Sequence, residues 1–155
     1  MKKLLTLMMV ICYLSSCKKS DQRKFIEEIS GSYTISSITL TKSDLVTDSI
    51  TFNNAGEFFF DNCKIDANKS RGFCEGYYIF NNEPKFNFGY NLTNESGETS
   101  LRIQLNNSPT TQQELNLLGI FSFVESVENK LILNSISSVS INNTKVKVRL
   151  TLTRN

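Results

Sequence analysis

The sequence contains no histidine and no tryptophan, and only two of its 155 residues are proline. Without histidine the chain lacks the commonest general base and the usual partner of a serine or cysteine nucleophile. It also lacks a preferred ligand of zinc sites, and no phosphate-binding glycine loop is present. We therefore expect no enzymatic activity, no metal site and no bound cofactor.

Long apolar runs are also missing, apart from one near the N-terminus. Residues 4–14 are apolar except for Thr6, and they follow two lysines and precede Ser15, Ser16 and Cys17. A charged start, an apolar core and small residues at the end are typical of a secretory signal peptide. The run is far shorter than the ~20 residues of a membrane-spanning helix. We expect residues 1–16 to be removed as a signal peptide.

Residues 14–17 read LSSC and resemble the lipobox of bacterial lipoproteins. The resemblance implies a diacylglyceryl group on the Cys17 thiol, cleavage just before it, and fatty acids such as palmitate at the anchor. Two or more acyl chains hold a protein stably on a membrane, whereas one does not. Lys18 is not the aspartate that retains some lipoproteins at the inner membrane. The expected location is the outer membrane of a Gram-negative bacterium, with the domain facing the periplasm or the surface. The alternative is an ordinary leader with an accidental cysteine.

Neither sign of charge is in excess once the leader is removed. Lys2 and Lys3 leave with it, so fifteen basic and fifteen acidic residues remain. A balanced chain gives no reason to expect a nucleic-acid partner. Residues 17–24 are polar and are expected to form a tether. Residues 25–155 are expected to form a single domain. Residues 25–29 could form a helical turn that closes one end of this domain.

Cysteine is sparse in the expected mature chain. With Cys17 acylated and the leader cysteine removed, only Cys63 and Cys74 remain. An even pair in an exported protein indicates a disulfide, which would contribute up to ~3 kcal/mol in the chain-entropy model. Two reduced thiols that face apart are the alternative.

Alternation of apolar and polar residues dominates the rest of the chain. It is clearest at residues 86–92, 101–105 and 145–154. Less regular strands are expected at 32–40, 49–52, 57–63, 75–80, 119–125 and 130–136. Ser36-Ser37 breaks the alternation and predicts a bulge, whereas residues 53–56 (NNAG) predict a turn. A capping-box pattern at 111–114 predicts a short helix.

Nine short strands with short connections predict an all-β, antiparallel up-and-down barrel of about eight to nine strands, with a β-sandwich as the alternative. Residues 29–40 resemble the first strand of lipocalin-like domains, with Tyr33 where that family has tryptophan. Residues 50–60 are similar to a hairpin of small bacterial lipocalin-like lipoproteins. The resemblance implies a basic residue near the chain end, Arg149 or Arg154, packed over Tyr33.

Aromatic residues are abundant, with eleven Phe and five Tyr. One hypothesis is a binding module for a small apolar or amphipathic ligand held inside the barrel. The candidate ligand-binding residues are Phe58, Phe60, Tyr77, Phe86, Phe88 and Tyr90. The alternative is that these rings only fill the interior as core residues and bind no ligand. A different hypothesis is an accessory or immunity-type lipoprotein that docks an envelope protein through outward rings such as Phe59 or Tyr78.

Overall fold

The computed structural model describes residues 23–42, 48–63, 73–81, 83–95, 98–106, 115–141 and 144–155. One helix, α1, spans residues 23–29. Nine strands follow within these ranges: β1 (Gly31–Lys42), β2 (Ser49–Phe60), β3 (Cys74–Phe80), β4 (Phe86–Glu95), β5 (Glu98–Leu105), β6 (Gly119–Val127), β7 (Lys130–Ser135), β8 (Val139–Ile141) and β9 (Thr144–Arg154). The leader, Cys17 and the helix predicted at 111–114 lie outside the described residues.

The strands form one closed antiparallel ring. Neighbours follow chain order from β1 to β7, β9 pairs with β7, and β9 also pairs with β1. Tyr33 lies opposite Arg154 and Lys42 lies opposite Val146 along this seam. The short β8 pairs with the start of β9 and so continues the line of β7. The result is an up-and-down barrel with eight strand positions, which confirms the predicted fold class.

Period-two patterning decides which side chains enter the barrel. On β9, Val146, Val148, Leu150 and Leu152 are buried as predicted, while the intervening lysines and Arg149 are exposed. The prediction is wrong at the end of β5, where Leu105 is 50% exposed, unlike Leu101 and Ile103. Leu105 is the last residue of its strand and pairs with Phe88 of β4, whereas Ile103 also pairs with Gly119 of β6.

Bulges interrupt both of the first two strands. The register of β1 shifts between Ile35 and Ser37 against both neighbours, which confirms the bulge predicted at Ser36-Ser37. The turn predicted at 53–56 is wrong, because β2 runs through it as one strand. Asn54 (φ 50°) and Gly56 (φ 133°) have positive φ because they lie in a bulge, and the direction of the chain does not reverse there. The predicted hairpin over 50–60 therefore does not exist.

The end of the barrel at which β1 starts is covered by α1. Ile26 and Ile29 are buried in the common core, so the predicted helical plug is confirmed. The helix begins at residue 23, inside the predicted tether 17–24. At the opposite end, Leu115 and Leu117 lead into β6 and are also buried. Both openings thus have apolar side chains packed into them.

Arg154, at the end of β9, ties this helix to the closing seam. Its guanidinium carbon lies 5.3 Å from the centroid of the Tyr33 ring, and its Nη2 donates to the Tyr33 hydroxyl at 2.8 Å. The same nitrogen donates to the Glu28 carbonyl. The Tyr33 hydroxyl in turn donates to the Ile29 carbonyl at 2.9 Å. The predicted packing of a basic residue over Tyr33 is confirmed for Arg154 and not for Arg149.

Gly76 and Gly89 provide a paired test of core packing. A Cβ at Gly76 would lie 2.6 Å from both the Phe59 carbonyl oxygen and the Phe88 ring, whereas the nearest atom to a Cβ at Gly89 is 3.6 Å away. Neither glycine has a positive φ. We expect Gly76→Ala to lower the free energy of unfolding by about 1–3 kcal/mol through overpacking. Urea denaturation followed by circular dichroism measures this loss. Equal losses in Gly76→Ala and Gly89→Ala would contradict the packing described for Phe88.

Candidate functional site

The interior of the barrel is occupied by aromatic rings. Five of the six candidate ligand-binding residues face inward and are 0–5% exposed. These five are Phe58, Phe60, Phe86, Phe88 and Tyr90. The ring of Phe58 lies 4.8 Å from that of Phe60 and 5.2 Å from that of Phe88, measured between centroids. Distances of this size are those of rings in direct contact. The predicted residues are therefore brought together, and they pack on one another.

Tyr77, the sixth candidate, lies on the outer face of β3, so its predicted place among the interior residues is wrong. Tyr78 points inward instead and is 0% exposed, so it is wrong as a candidate for an outward docking ring as well. The buried residues of β3 alternate from Cys74 through Gly76 to Tyr78. With two adjacent tyrosines, the face of each depends on this register, which residue type alone does not define.

The two interior tyrosines direct their hydroxyl groups to the backbone. The Tyr78 hydroxyl donates to the Leu115 carbonyl at 2.8 Å and lies 3.4 Å from the amide of Leu117, which donates to it. The Tyr90 hydroxyl donates to the Asp61 carbonyl at 2.6 Å. These bonds satisfy the polar atoms of the buried rings and attach the segments at 115–117 and 61–63 to the barrel.

Burial raises the pKa of both phenols above the usual value. For Tyr78 the loss of hydration is the main cause, the hydrogen bond from Leu117 opposes it, and the charge of Glu83 adds to it. For Tyr90 burial is again the main cause, and the charge of Asp61 adds to it. Both rings therefore stay protonated in the folded chain at a pH where an unfolded tyrosine ionises.

A second aromatic pair lies on the outside of the barrel. Phe59 on β2 and Tyr77 on β3 are direct cross-strand neighbours, with centroids 5.2 Å apart and planes inclined by 25°. Lys85 places its Nζ 4.1 Å from the centroid of the Tyr77 ring, within the range of a cation–π contact. Both rings are half-buried, so their outer edges are accessible.

This pair forms part of an open cleft of about 370 Å³. We call it the outer cleft, and it is lined by Phe59, Asp61, Glu75, Gly76, Tyr77, Asn87 and Asn106. The Asn106 side-chain amide donates to a Glu75 carboxylate oxygen at 3.1 Å. The cleft thus combines ring edges with amide and carboxylate groups, a composition suited to recognition by contact and hydrogen bonding.

The disulfide region fixes one border of the outer cleft. The sulfur atoms of Cys63 and Cys74 lie at bonding distance, with Cα atoms 5.3 Å apart, as the predicted pairing requires. The Asp61 amide donates to the Glu75 carbonyl at 2.9 Å, which extends the β2–β3 ladder to the bridge. Together with the Tyr90 bond to its carbonyl, this holds the Asp61 backbone on two sides.

The sequence indicated outward aromatic rings in general but not this cleft. Asn87 and Asn106 join it because β4 and β5 are antiparallel neighbours beyond β3, and their polar side chains carried no motif. Among the described residues there is no group of three or more His, Cys, Asp or Glu side chains that could hold a metal ion. Within the same ranges no helix has the length and apolar character needed to cross a bilayer.

Comparisons with known proteins returned no relative of this chain: no protein-family model matches it, and no curated protein or solved structure does so either.

The buried phenols predict a loss of stability in alkali. An unfolded tyrosine releases its proton at about pH 10, whereas Tyr78 and Tyr90 retain theirs when folded. The free energy of unfolding should therefore be unaffected by these groups below that pH and fall as the pH rises above it. Urea denaturation at a series of pH values measures the slope. Tyr78→Phe and Tyr90→Phe should each reduce the slope. An unchanged slope in both variants would contradict the assignment.

Proposed function

We propose that this chain is a lipid-anchored envelope protein that binds a protein partner through the outer cleft. The observation that carries the proposal is the contrast between the two faces of β2 and β3. Their inward rings pack on one another, whereas Phe59 and Tyr77 present accessible edges beside hydrogen-bonding groups. Of the two functions that the sequence suggested, this contrast favours docking over an interior ligand.

The filled interior gives the ligand-binding hypothesis little support. An eight-strand barrel is only just wide enough to be filled by its own side chains or to hold one small ligand. Here Tyr78 stacks on Phe86 at 5.0 Å, and Tyr90 contacts Phe60 at 5.1 Å. A ligand would have to displace these rings, and the hydroxyl groups near them already bond to the backbone.

The membrane anchor of the proposal comes from the sequence. A charged and apolar leader ends at LSSC, and Cys17 would carry the lipid. With Lys18 rather than aspartate after the cysteine, such an anchor would hold the domain at the outer membrane, within reach of a protein partner of the envelope. Loss of fatty-acid probe incorporation in Cys17→Ser, with retention in the parent chain, is the expected result.

The chemistry of the outer cleft suits a protein surface. Tyrosine is enriched at the centres of protein interfaces, where one flat ring supplies both apolar contact and a polar tip. Lys85, Asp61 and Glu75 supply charges of both signs around the two rings. Mixed charge gives no basis for binding a polyanion, and it allows complementary pairing with a folded partner.

The experiment is photo-crosslinking in native membranes from a photoreactive residue placed at position 87. Asn87 is exposed and lines the outer cleft, so the probe removes no packed ring. We expect one stoichiometric protein partner. Tyr77→Ala should weaken the complex about 30-fold, as expected for a residue that contributes ~2 kcal/mol to binding.

Two controls separate binding from folding. Ile50→Ala changes an apolar side chain that is 56% exposed near the start of β2, at the barrel end opposite α1. It should leave crosslinking intact. Asn87→Arg crowds the outer cleft beside Tyr77, the direct cross-strand neighbour of position 87, and it should block crosslinking from a second probe at position 85. Recovery of no protein partner, with an apolar molecule bound in native mass spectrometry, would instead support the interior ligand.

A further inference from the structure

The barrel end covered by α1 carries two exposed valines. Val124 is 49% exposed and Val127 is 57% exposed, both near the end of β6. Val124 is the extra residue where the β6–β7 register shifts between Phe123 and Glu125. The Phe123 ring meets the ring of Phe25 in α1 edge-on, 4.8 Å between centroids. Helix and hairpin thus form one continuous surface, which we call the helix end.

The charged side chains of the helix end balance one another. Arg23 pairs with Glu27 at 3.1 Å, and Lys130 pairs with Glu125 at 3.0 Å. The basic residues are Arg23, Lys24, Lys130 and Arg154, and the acidic residues are Glu27, Glu28, Glu125 and Glu128. These eight side chains carry no net charge, so a contact made by the helix and this hairpin would depend on the apolar side chains and only weakly on salt.

The length of chain before α1 limits where this surface can lie. Only residues 18–22 separate Cys17 from the helix. The six Cα–Cα steps involved span at most about 22 Å. The twelve residues of β1 extend over about 40 Å along the strand, or about 30 Å along a tilted barrel axis. A lipid on Cys17 therefore keeps the helix end beside the bilayer and leaves the opposite end away from it.

We propose that the helix end rests on the bilayer, with Val124 and Val127 in contact with the lipid at the interface. The inference rests on the proposed anchor at Cys17. It specifies the orientation of the domain, in which the outer cleft on β2–β5 lies on the side wall of the barrel, open to a partner. The lipid contact is apolar and does not require anionic head groups.

Single tryptophan residues can test this orientation, because the natural sequence has none. The lipidated chain carrying Val127→Trp is reconstituted in phosphatidylcholine vesicles that contain brominated acyl chains. Ile50→Trp serves as the matched control, since Ile50 is comparably exposed, at 56%, near the start of β2 at the far end. We expect bromine to quench the indole of the Val127→Trp chain several-fold more than that of the Ile50→Trp chain. The emission should be blue-shifted for the Val127→Trp chain alone.

Equal quenching in the two variants, or stronger quenching in Ile50→Trp, would overturn the orientation. Flotation of the vesicles distinguishes this failure from failure of the anchor. A chain that floats with the vesicles but shows no difference between positions retains the anchor and refutes the contact. A chain that does not float refutes the anchor, and the proposed orientation with it. Substitution of phosphatidylglycerol for half of the lipid should leave the quenching ratio unchanged, and a strong dependence would refute an apolar contact.

Discussion

The pairing of β9 with β1 is the constraint on which the rest of the structure depends. It converts an antiparallel meander into a closed ring, so neither strand leaves an unpaired edge along the seam. Closure also fixes the interior volume, and every inward side chain must fit into it. Phe58, Tyr78 and Phe88 do so by packing ring against ring, and Gly76 leaves room for the ring of Phe88. The interior is thus a packed core of the kind found in other small barrels.

Closure of the barrel also gives the two faces of the sheet different roles. Inward rings stabilise the barrel, and their hydroxyl groups attach the segments that cover it. Outward rings on the same strands face solvent and are available for recognition. Phe59 and Phe60 are adjacent in the chain, yet Phe59 lies on the outer face of the sheet and Phe60 on the inner face. Side chains on the outer surface can therefore be substituted without altering the core.

Much of the fold followed from alternation, and the reason is visible in β9, where each apolar residue is buried and the two lysines and Arg149 that alternate with them are exposed. The bulge at Ser36 was predictable for the same reason, because it interrupts the pattern. Positive φ at Asn54 was not, since Asn and Gly serve turns and bulges equally well. β8 was missed because the three residues Val139 to Ile141 are too few to establish a period. The outer cleft needed the register of four strands, which a single sequence does not contain.

The bridge between Cys63 and Cys74 has a consequence for the integrity of the chain. The backbone between these residues and the bridge together form a covalent ring, and the sequence within it includes Lys64, Lys69 and Arg71, which are trypsin sites. A single proteolytic cut within that ring would leave both fragments joined through sulfur. β2 and β3 would also stay hydrogen-bonded on either side of the cut. The nicked protein would migrate as one species without reductant and as two with it.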